Sequence, residues 1–240
     1  MTPGETLAAN AAALLGINLS GEQVLQFERL TQLLLAWNER MNLTAITDPE
    51  AIAIKHYLDA LTLCQLLPRV DGLRLIDVGT GAGFPGLPLA IAFPRLQLTL
   101  MDSTAKKLRF IDSAAESLEL GNIRSLHARA EDAGRDPDHR EAYDIVVARA
   151  VARLPVLLEY TLPLCQPGGR VIAMKGATAV KDASAASEAI AALGGKLFAI
   201  KEARLPTLDD PRYLVVIDKI NPTPLRYPRR AGLPARQPLP

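Results

Sequence analysis

A glycine-rich turn between two apolar runs constrains this chain more than any other feature. The stretch Leu73-Arg74-Leu75-Ile76-Asp77-Val78-Gly79-Thr80-Gly81-Ala82-Gly83-Phe84-Pro85-Gly86 reads as a buried strand, a turn and a helix start. In a doubly wound sheet, that junction holds a nucleotide-like cofactor. Glycine is required there where φ is positive, or where a ligand comes closer to the backbone than a Cβ allows. The helix that follows presents free N–H groups. Gly81, Gly83 and Gly86 satisfy G-x-G-x-x-G, a dinucleotide fingerprint of low specificity by itself. Asp77 tilts the reading away from NAD, because a carboxylate at the strand tip faces a pyrophosphate with like charge. It suits an ammonium or an ordered water. S-adenosylmethionine has an amino-acid tail, a sulfonium and no phosphate, and is the better fit. A purely structural turn is the bland alternative.

The 240 residues allow one large domain, or one domain with an appendage. At 49% hydrophobic and 22% charged, the chain can bury a sizeable core. A formal net charge of +1 gives no global basic field, so nucleic-acid binding requires a local patch. Cys64 and Cys165 match no metal spacing, and a reduced thiol pair is expected. No metal site is expected. The N-terminus lacks the pattern of a signal peptide, and no apolar run reaches the length of a membrane span. These features predict a cytoplasmic protein with no membrane partner.

The spacing predicts helix through most of residues 5 to about 67. Ser20 and Gln23 fit a capping box. Val24, Phe27, Leu30, Leu34 and Trp37 then recur at helical intervals. The polar stretch Asn38–Thr44 is expected to join this helix to a second one starting at Asp48-Pro49-Glu50. From Leu73 the pattern changes to alternating strand and helix. Strands are expected at Leu73–Val78, Leu96–Met101, Ile123–His127, Tyr143–Ala148, Gly169–Met174, Lys196–Leu205 and Tyr213–Lys219, with helices at Ala105–Leu120 and Ala179–Leu193. Repeated βα units imply an α/β, Rossmann-like, mostly parallel seven-stranded sheet with right-handed crossovers. The expected organisation is a helical extension over 1–70, a sheet domain over 71–219 and a tail over 220–240. From Lys219 onward the chain holds six prolines, five basic residues and no acid. It reads as an extended basic segment, either a phosphate-contacting arm or a solvated terminus.

Several residues fall where such a sheet does chemistry. Asp102 ends the second strand and can accept ribose hydroxyls; capping Ser103–Lys107 is its other reading. Ala130-Glu131-Asp132 follows the third strand and can read an adenine edge, or can be a solvated acid pair. Arg149 ends the fourth strand, on the active-site rim, and suits a phosphate or a carboxylate. A structural ion pair is the alternative. Arg153 and Lys175 occupy neighbouring rim positions. Lys106, Lys107 and Arg109 open the following helix. Together they can form the local basic face that the net charge conceals. His56 has no metal partners at useful spacing and reads as a packed residue more readily than a catalyst. The chain lacks the Asn/Asp-Pro-Pro-aromatic box of amino-group methylation, and no Pro-Cys follows the fourth strand. Cys165 reads as core. A nucleophile with a free lone pair, such as guanine N7, fits what remains, with catalysis resting on placement.

These residues resemble the family of glucose-inhibited division protein B, the ribosomal small-subunit methyltransferase G family. The likeness runs through Met41–Ile46, His56–Asp59, Asp77–Leu89, Asp102-Ser103 before Lys106-Lys107, Ala130-Glu131, Ala148–Ala150, Met174–Gly176 and Tyr227–Pro234. The form Gly-Ala-Gly-Phe-Pro-Gly-Leu-Pro-Leu is far more specific than a bare glycine motif. The resemblance implies a class I S-adenosylmethionine-dependent methyltransferase fold. It also implies methyl transfer to N7 of one guanine in 16S ribosomal RNA, as naked RNA or in the small ribosomal subunit, by a monomer. Matched by position, cofactor contacts fall on Gly79, Phe84, Ala130, Glu131 and Arg149, and Arg149 is assigned to the reaction. Asp77, Gly81 and Asp102 come from the residues themselves. Phe84 stands where relatives carry Leu, which keeps an apolar wall. The matching tail points Arg226, Arg229 and Arg230 at RNA, alongside Lys106, Arg153 and Lys175. A methyltransferase acting on another RNA, a protein or a small molecule is the competing reading. More distant ones are an NAD-dependent oxidoreductase and a non-enzymatic RNA-binding protein.

Overall fold

In the computed structural model, which describes residues 1–67, 72–206 and 210–240, seven strands form one sheet. They are β1 (Arg74–Val78), β2 (Gln97–Asp102), β3 (Ile123–His127), β4 (Tyr143–Arg149), β5 (Cys165–Lys175), β6 (Gly195–Ala203) and β7 (Arg212–Lys219). Their order is β3-β2-β1-β4-β5-β7-β6. The first five run parallel, and β7 inserts antiparallel between β5 and β6. The chain winds outward from β1 to β3 and then restarts at β4 on the other side of β1. The crevice beyond the ends of β1 and β4 is therefore the switch point where such sheets bind ligands. The expected closing strand pair is present, but the last strand lies inside the sheet rather than at its edge. Its hydrogen bonds to β5 and β6 explain its buried run Leu214–Ile217.

Alternation along the strands divides the core in two. Leu75, Leu98, Leu100, Ile145 and Val147 face one side, and Ile76, Met101, Val146, Ala148 and Val171 face the other. The first side is covered by α1 (Pro3–Leu15) and α2 (Gly21–Met41). Below them run α3 (Pro49–Ile52), a π-helical stretch (Ala53–Leu58), α4 (Asp59–Leu61) and a 3₁₀ turn (Thr62–Leu66). Also on this side are α5 (Gly86–Ala92) and α6 (Ala105–Ser117). The Ser20–Gln23 capping box forms as expected, at 3.2 and 2.9 Å. The same Gln23 amide donates to the Ile91 carbonyl at 2.7 Å, so the cap also ties α2 to α5. The N-terminal helices thus share one core with the sheet. The α2 helix runs to Met41, four residues into the expected polar connection, and ends on Asn42 at φ +49°. The expected boundary at residues 70 and 71 lies outside the described residues.

The second side is covered by α7 (Ala130–Ala133), α8 (Leu154–Thr161), α9 (Ala179–Ala185) and α10 (Ser187–Ala192). The single helix expected over 179–193 is thus two, broken at Ala186. The tail departs furthest from the sequence reading. It is not an extended arm; it folds back on this side and ends in α11 (Leu233–Arg236). Arg140 supplies much of the reason, donating to the Tyr227 carbonyl at 2.8 Å and the Thr223 carbonyl at 2.6 Å. The Tyr227 ring is buried in the core.

Candidate active site

The turn after β1 is held from below by Asp77. Its Oδ2 accepts the Thr80 hydroxyl at 2.6 Å and the Gly86 N–H at 2.9 Å. Asp77 is wholly buried, and burial pushes its carboxyl up to about 6. Its Oδ1 is the one buried side-chain oxygen without a protein partner among the described residues. A buried acceptor of this kind requires an ordered water or a ligand donor. The direct role of Asp77 is to shape the turn. Gly79, Gly81 and Gly83 all take φ between +62° and +82°. At Gly83 a Cβ would strike Leu87 at 2.4 Å, so that glycine serves packing. At Gly81 a Cβ meets nothing within 4 Å, which leaves open space over the turn.

Beside this turn lies a cavity of about 480 Å³, within the range of small-molecule sites. Val78 and Gly79 line it from β1, and Met101 and Asp102 from β2. Ala128, Arg129, Ala130 and Glu131 close it from the segment after β3. Asp102 accepts the Gly81 N–H at 3.1 Å and the Thr104 N–H at 2.8 Å, and it pairs with Lys107 at 3.4 Å. It braces the loop and lines the cavity, but it does not cap α6, whose N-cap residue is Thr104. Glu131 is buried and accepts the Gly232 N–H at 2.8 Å. An acid at the tip of β2, a second acid after β3, apolar walls and a glycine floor fit S-adenosylmethionine. The group carries a ribose diol and an adenine ring but no phosphate to be repelled.

Across Ala150 lies a second cavity of about 420 Å³. Ala150 lines both cavities and holds φ +55°, a strained value for a residue with a Cβ. Lys55, His56, Asp59, Arg149, Lys175, Arg212 and Tyr213 line the second cavity. Arg149 donates to Asp59 at 3.0 Å, to the Lys55 carbonyl at 3.2 Å and to His56 Nδ1 at 3.3 Å. His56 bonds Thr44 through Nε2 at 2.9 Å and stacks on Phe84 at 4.5 Å. Burial, aided by Arg149, pushes its imidazole down to about 4. His56 is therefore neutral near pH 7 and accepts from the guanidinium.

The structure brings Asp102, Gly79, Ala130 and Glu131 to the first cavity, with Gly81 at its edge. It does not bring Phe84 there. That ring is buried between His56, Tyr57 and Arg149, because the turn directs it toward the π-helical stretch. Arg149 serves the second cavity and combines its two sequence readings, rim residue and ion pair. Among the expected RNA contacts, Lys106, Arg153, Arg226 and Arg230 are exposed. Lys175 is engaged with Asp182 at 3.4 Å and with the Ala152 carbonyl. Arg229 is corrected: its guanidinium grips the wholly buried Glu159 at 2.6 Å, so it holds the tail down instead of reaching outward. Sequence reasoning missed Asp59, Tyr160, Gly232 and the Val151 loop. Asp59 had a legible signal, since it lies three residues after His56 on one helical face.

Strand order, glycine turn, the acid at the tip of β2 and the acid after β3 define a class I S-adenosylmethionine-dependent methyltransferase. Solved structures share the fold. TrmN from Thermus thermophilus superposes with a TM-score of 0.52 at 25% identity, over 67% of this chain and 48% of that one. A SAM-dependent O-methyltransferase from Thermotoga maritima gives 0.53 at 17% identity, over 80% and 72%. Residues 23–208 match the family of rRNA small subunit methyltransferase G, and the chain belongs to that family. A ribosomal RNA small subunit methyltransferase G from Pelotomaculum thermopropionicum is 48% identical over 98% of both chains. Another, from Acetivibrio thermocellus, is 47% identical over 97% of this chain and 96% of its own.

Proposed function

We propose that this chain transfers a methyl group from S-adenosylmethionine to N7 of a guanine in 16S ribosomal RNA, in the cytoplasm. The observation that carries this reading is the pair of cavities that meet at Ala150. One carries Asp102 and Glu131 beside the glycine turn; the other is rimmed by Lys55, Arg149, Lys175 and Arg212 and carries Tyr213. A cationic, aromatic-bearing cavity suits a base on a phosphate backbone. When bound, S-adenosylmethionine supplies an electrophilic methyl group on its sulfonium. Asp102 and Glu131 accept hydrogen bonds in the first cavity, and Gly79 lets a ligand lie against the backbone.

On the acceptor side, Asp59 is the one carboxylate among the lining residues, and it is committed to Arg149. Neutral His56 is committed to Thr44 and Arg149. The cavity therefore offers donors rather than a base, which matches a nucleophile that has no proton to lose. Guanine N7 is such a nucleophile. Arg149, fixed from three directions, orients the acceptor's oxygens by directed N–H groups, and placement supplies the rate. Lys106, Arg153, Arg226 and Arg230 extend the basic rim toward the RNA backbone.

The test is transfer of a labelled methyl group to small ribosomal subunits from cells lacking this activity, with the product mapped by cleavage at N7-methylguanine. One labelled guanine is the expected result. Label on another atom of the RNA overturns the N7 assignment, and label on protein overturns the substrate class.

A further inference from the structure

The C-terminal tail does more than cover the sheet. Gly232 and Ala235 line the same cavity as Asp102 and Glu131, which lie more than a hundred residues earlier in the chain. The Gly232 N–H reaches Glu131 because φ at Gly232 is +80°. This segment is anchored from both ends. Upstream, Arg229 places four hydrogen bonds on the buried Glu159 carboxylate, at 2.6 to 3.1 Å, one of them from its own backbone N–H. Arg135 also holds the Pro228 carbonyl at 2.9 Å. Downstream, the Pro240 carbonyl accepts from Ala189 at 3.0 Å. Arg226 and Arg230 are exposed to solvent.

We infer that residues 229–236 form a wall of the S-adenosylmethionine cavity, so that cofactor affinity depends on a docked tail. This rests on the cofactor reading above and adds a binding element supplied by the tail. Glu131 is the junction. Its Oε1 fixes Gly232, and the same side chain faces the cavity. A ligand that settles between Glu131 and Ala235 therefore clamps the tail, and a loosened tail opens the cavity to water. Tyr160, next to Glu159 on α8, lines the cavity too, so the anchor and the wall share one helix.

Isothermal titration of the full-length protein with S-adenosylmethionine, without RNA, tests this. An indole at position 235 crowds the cavity mouth, so Ala235→Trp binds about tenfold more weakly or worse, while Leu225→Trp, on the exposed tail outside the cavity, binds as the native chain does. Hydrogen exchange needs no substitution: amides of residues 231–236 exchange more slowly when S-adenosylmethionine saturates the protein. Equal affinity in Ala235→Trp, or unchanged exchange in that segment, overturns the inference. A native chain that binds no S-adenosylmethionine overturns the cofactor reading instead.

Discussion

Arg149 at the tip of β4 lies 3.0 Å from the carboxylate of Asp59, and the pair joins the N-terminal helical layer to the rim of the sheet. Both side chains are largely buried. Burial raises the Asp59 carboxyl, and Arg149 opposes that rise by its charge and its hydrogen bond. Removing Arg149 leaves a buried, unpaired acid, which destabilises by about 3 kcal/mol.

Arg149→Ala is therefore expected to lose methyl transfer and also to acquire a pH-dependent fold. An acid whose folded pKa exceeds its unfolded value binds more protons in the native state. Stability then falls as pH rises from the unfolded carboxylate value of about 3.9 through the folded one. The fall is steeper in Arg149→Ala than in the native chain, because the opposing cation is gone. Adding Asp59→Asn flattens it. Thermal unfolding from acid to neutral pH checks this, and parallel profiles for the single and double variants would clear Asp59 of the effect.

Asp77 gives a second pH signature. Its carboxyl is raised to about 6 by burial, so its contribution is fully present below the unfolded value and is lost as pH rises through about 6. The difference in stability between the native chain and Asp77→Asn is expected to change across that window and to level off above it. Asp77→Ala also strands the Thr80 hydroxyl and the Gly86 N–H, so it follows the same pH course as Asp77→Asn and lies about 1–3 kcal/mol below it. Denaturant titrations at several pH values measure both, and a pH-independent gap for Asp77→Asn contradicts the assignment.

Gly79 and Gly81 look alike in the sequence, but they differ in what a side chain would meet. Both have positive φ, so alanine at either costs about 1 kcal/mol. At Gly79 the new methyl also lands 2.8 Å from Val151, in the loop that separates the two cavities. Gly79→Ala is expected to weaken S-adenosylmethionine binding more than Gly81→Ala, by about tenfold against about threefold. Gly81→Trp fills the open space over the turn and abolishes binding. Equilibrium binding ranks the three, and the reverse order for the alanines removes Val151 from the site.

That contrast shows where the sequence was legible. The β1 turn, the acid at β2 and the Ser20–Gln23 capping box are local: residue type and spacing determine them within one turn of chain. The direction of the Phe84 ring was not legible, because a motif position does not say which way a ring points, and here His56 and Tyr57, from a distant helix, receive it. Strand β7 was legible along the chain, but its position in the sheet was not. Its buried run fits an inner strand, whereas neighbours in space are set by crossovers that leave no local trace. The tail was misread for a related reason. Proline and arginine content describes an unpaired segment, and Glu159, seventy residues earlier, supplies the partner.

The Arg229–Glu159 pair makes the last expectation. Glu159 is wholly buried, and all four of its recorded hydrogen bonds come from Arg229. Arg229→Ala takes away the guanidinium and leaves one backbone donor for a buried carboxylate. The expected loss is about 3 kcal/mol, at the low end for a broken buried pair because Arg229 keeps part of its surface in water. Arg230→Ala, one residue on and exposed, is expected to change stability by less than about 0.5 kcal/mol. It should instead weaken ribosomal RNA binding with a shallower salt dependence. Urea unfolding and RNA binding at two salt concentrations separate the two arginines. Equal stability losses for both would mean that the tail is not anchored through Glu159.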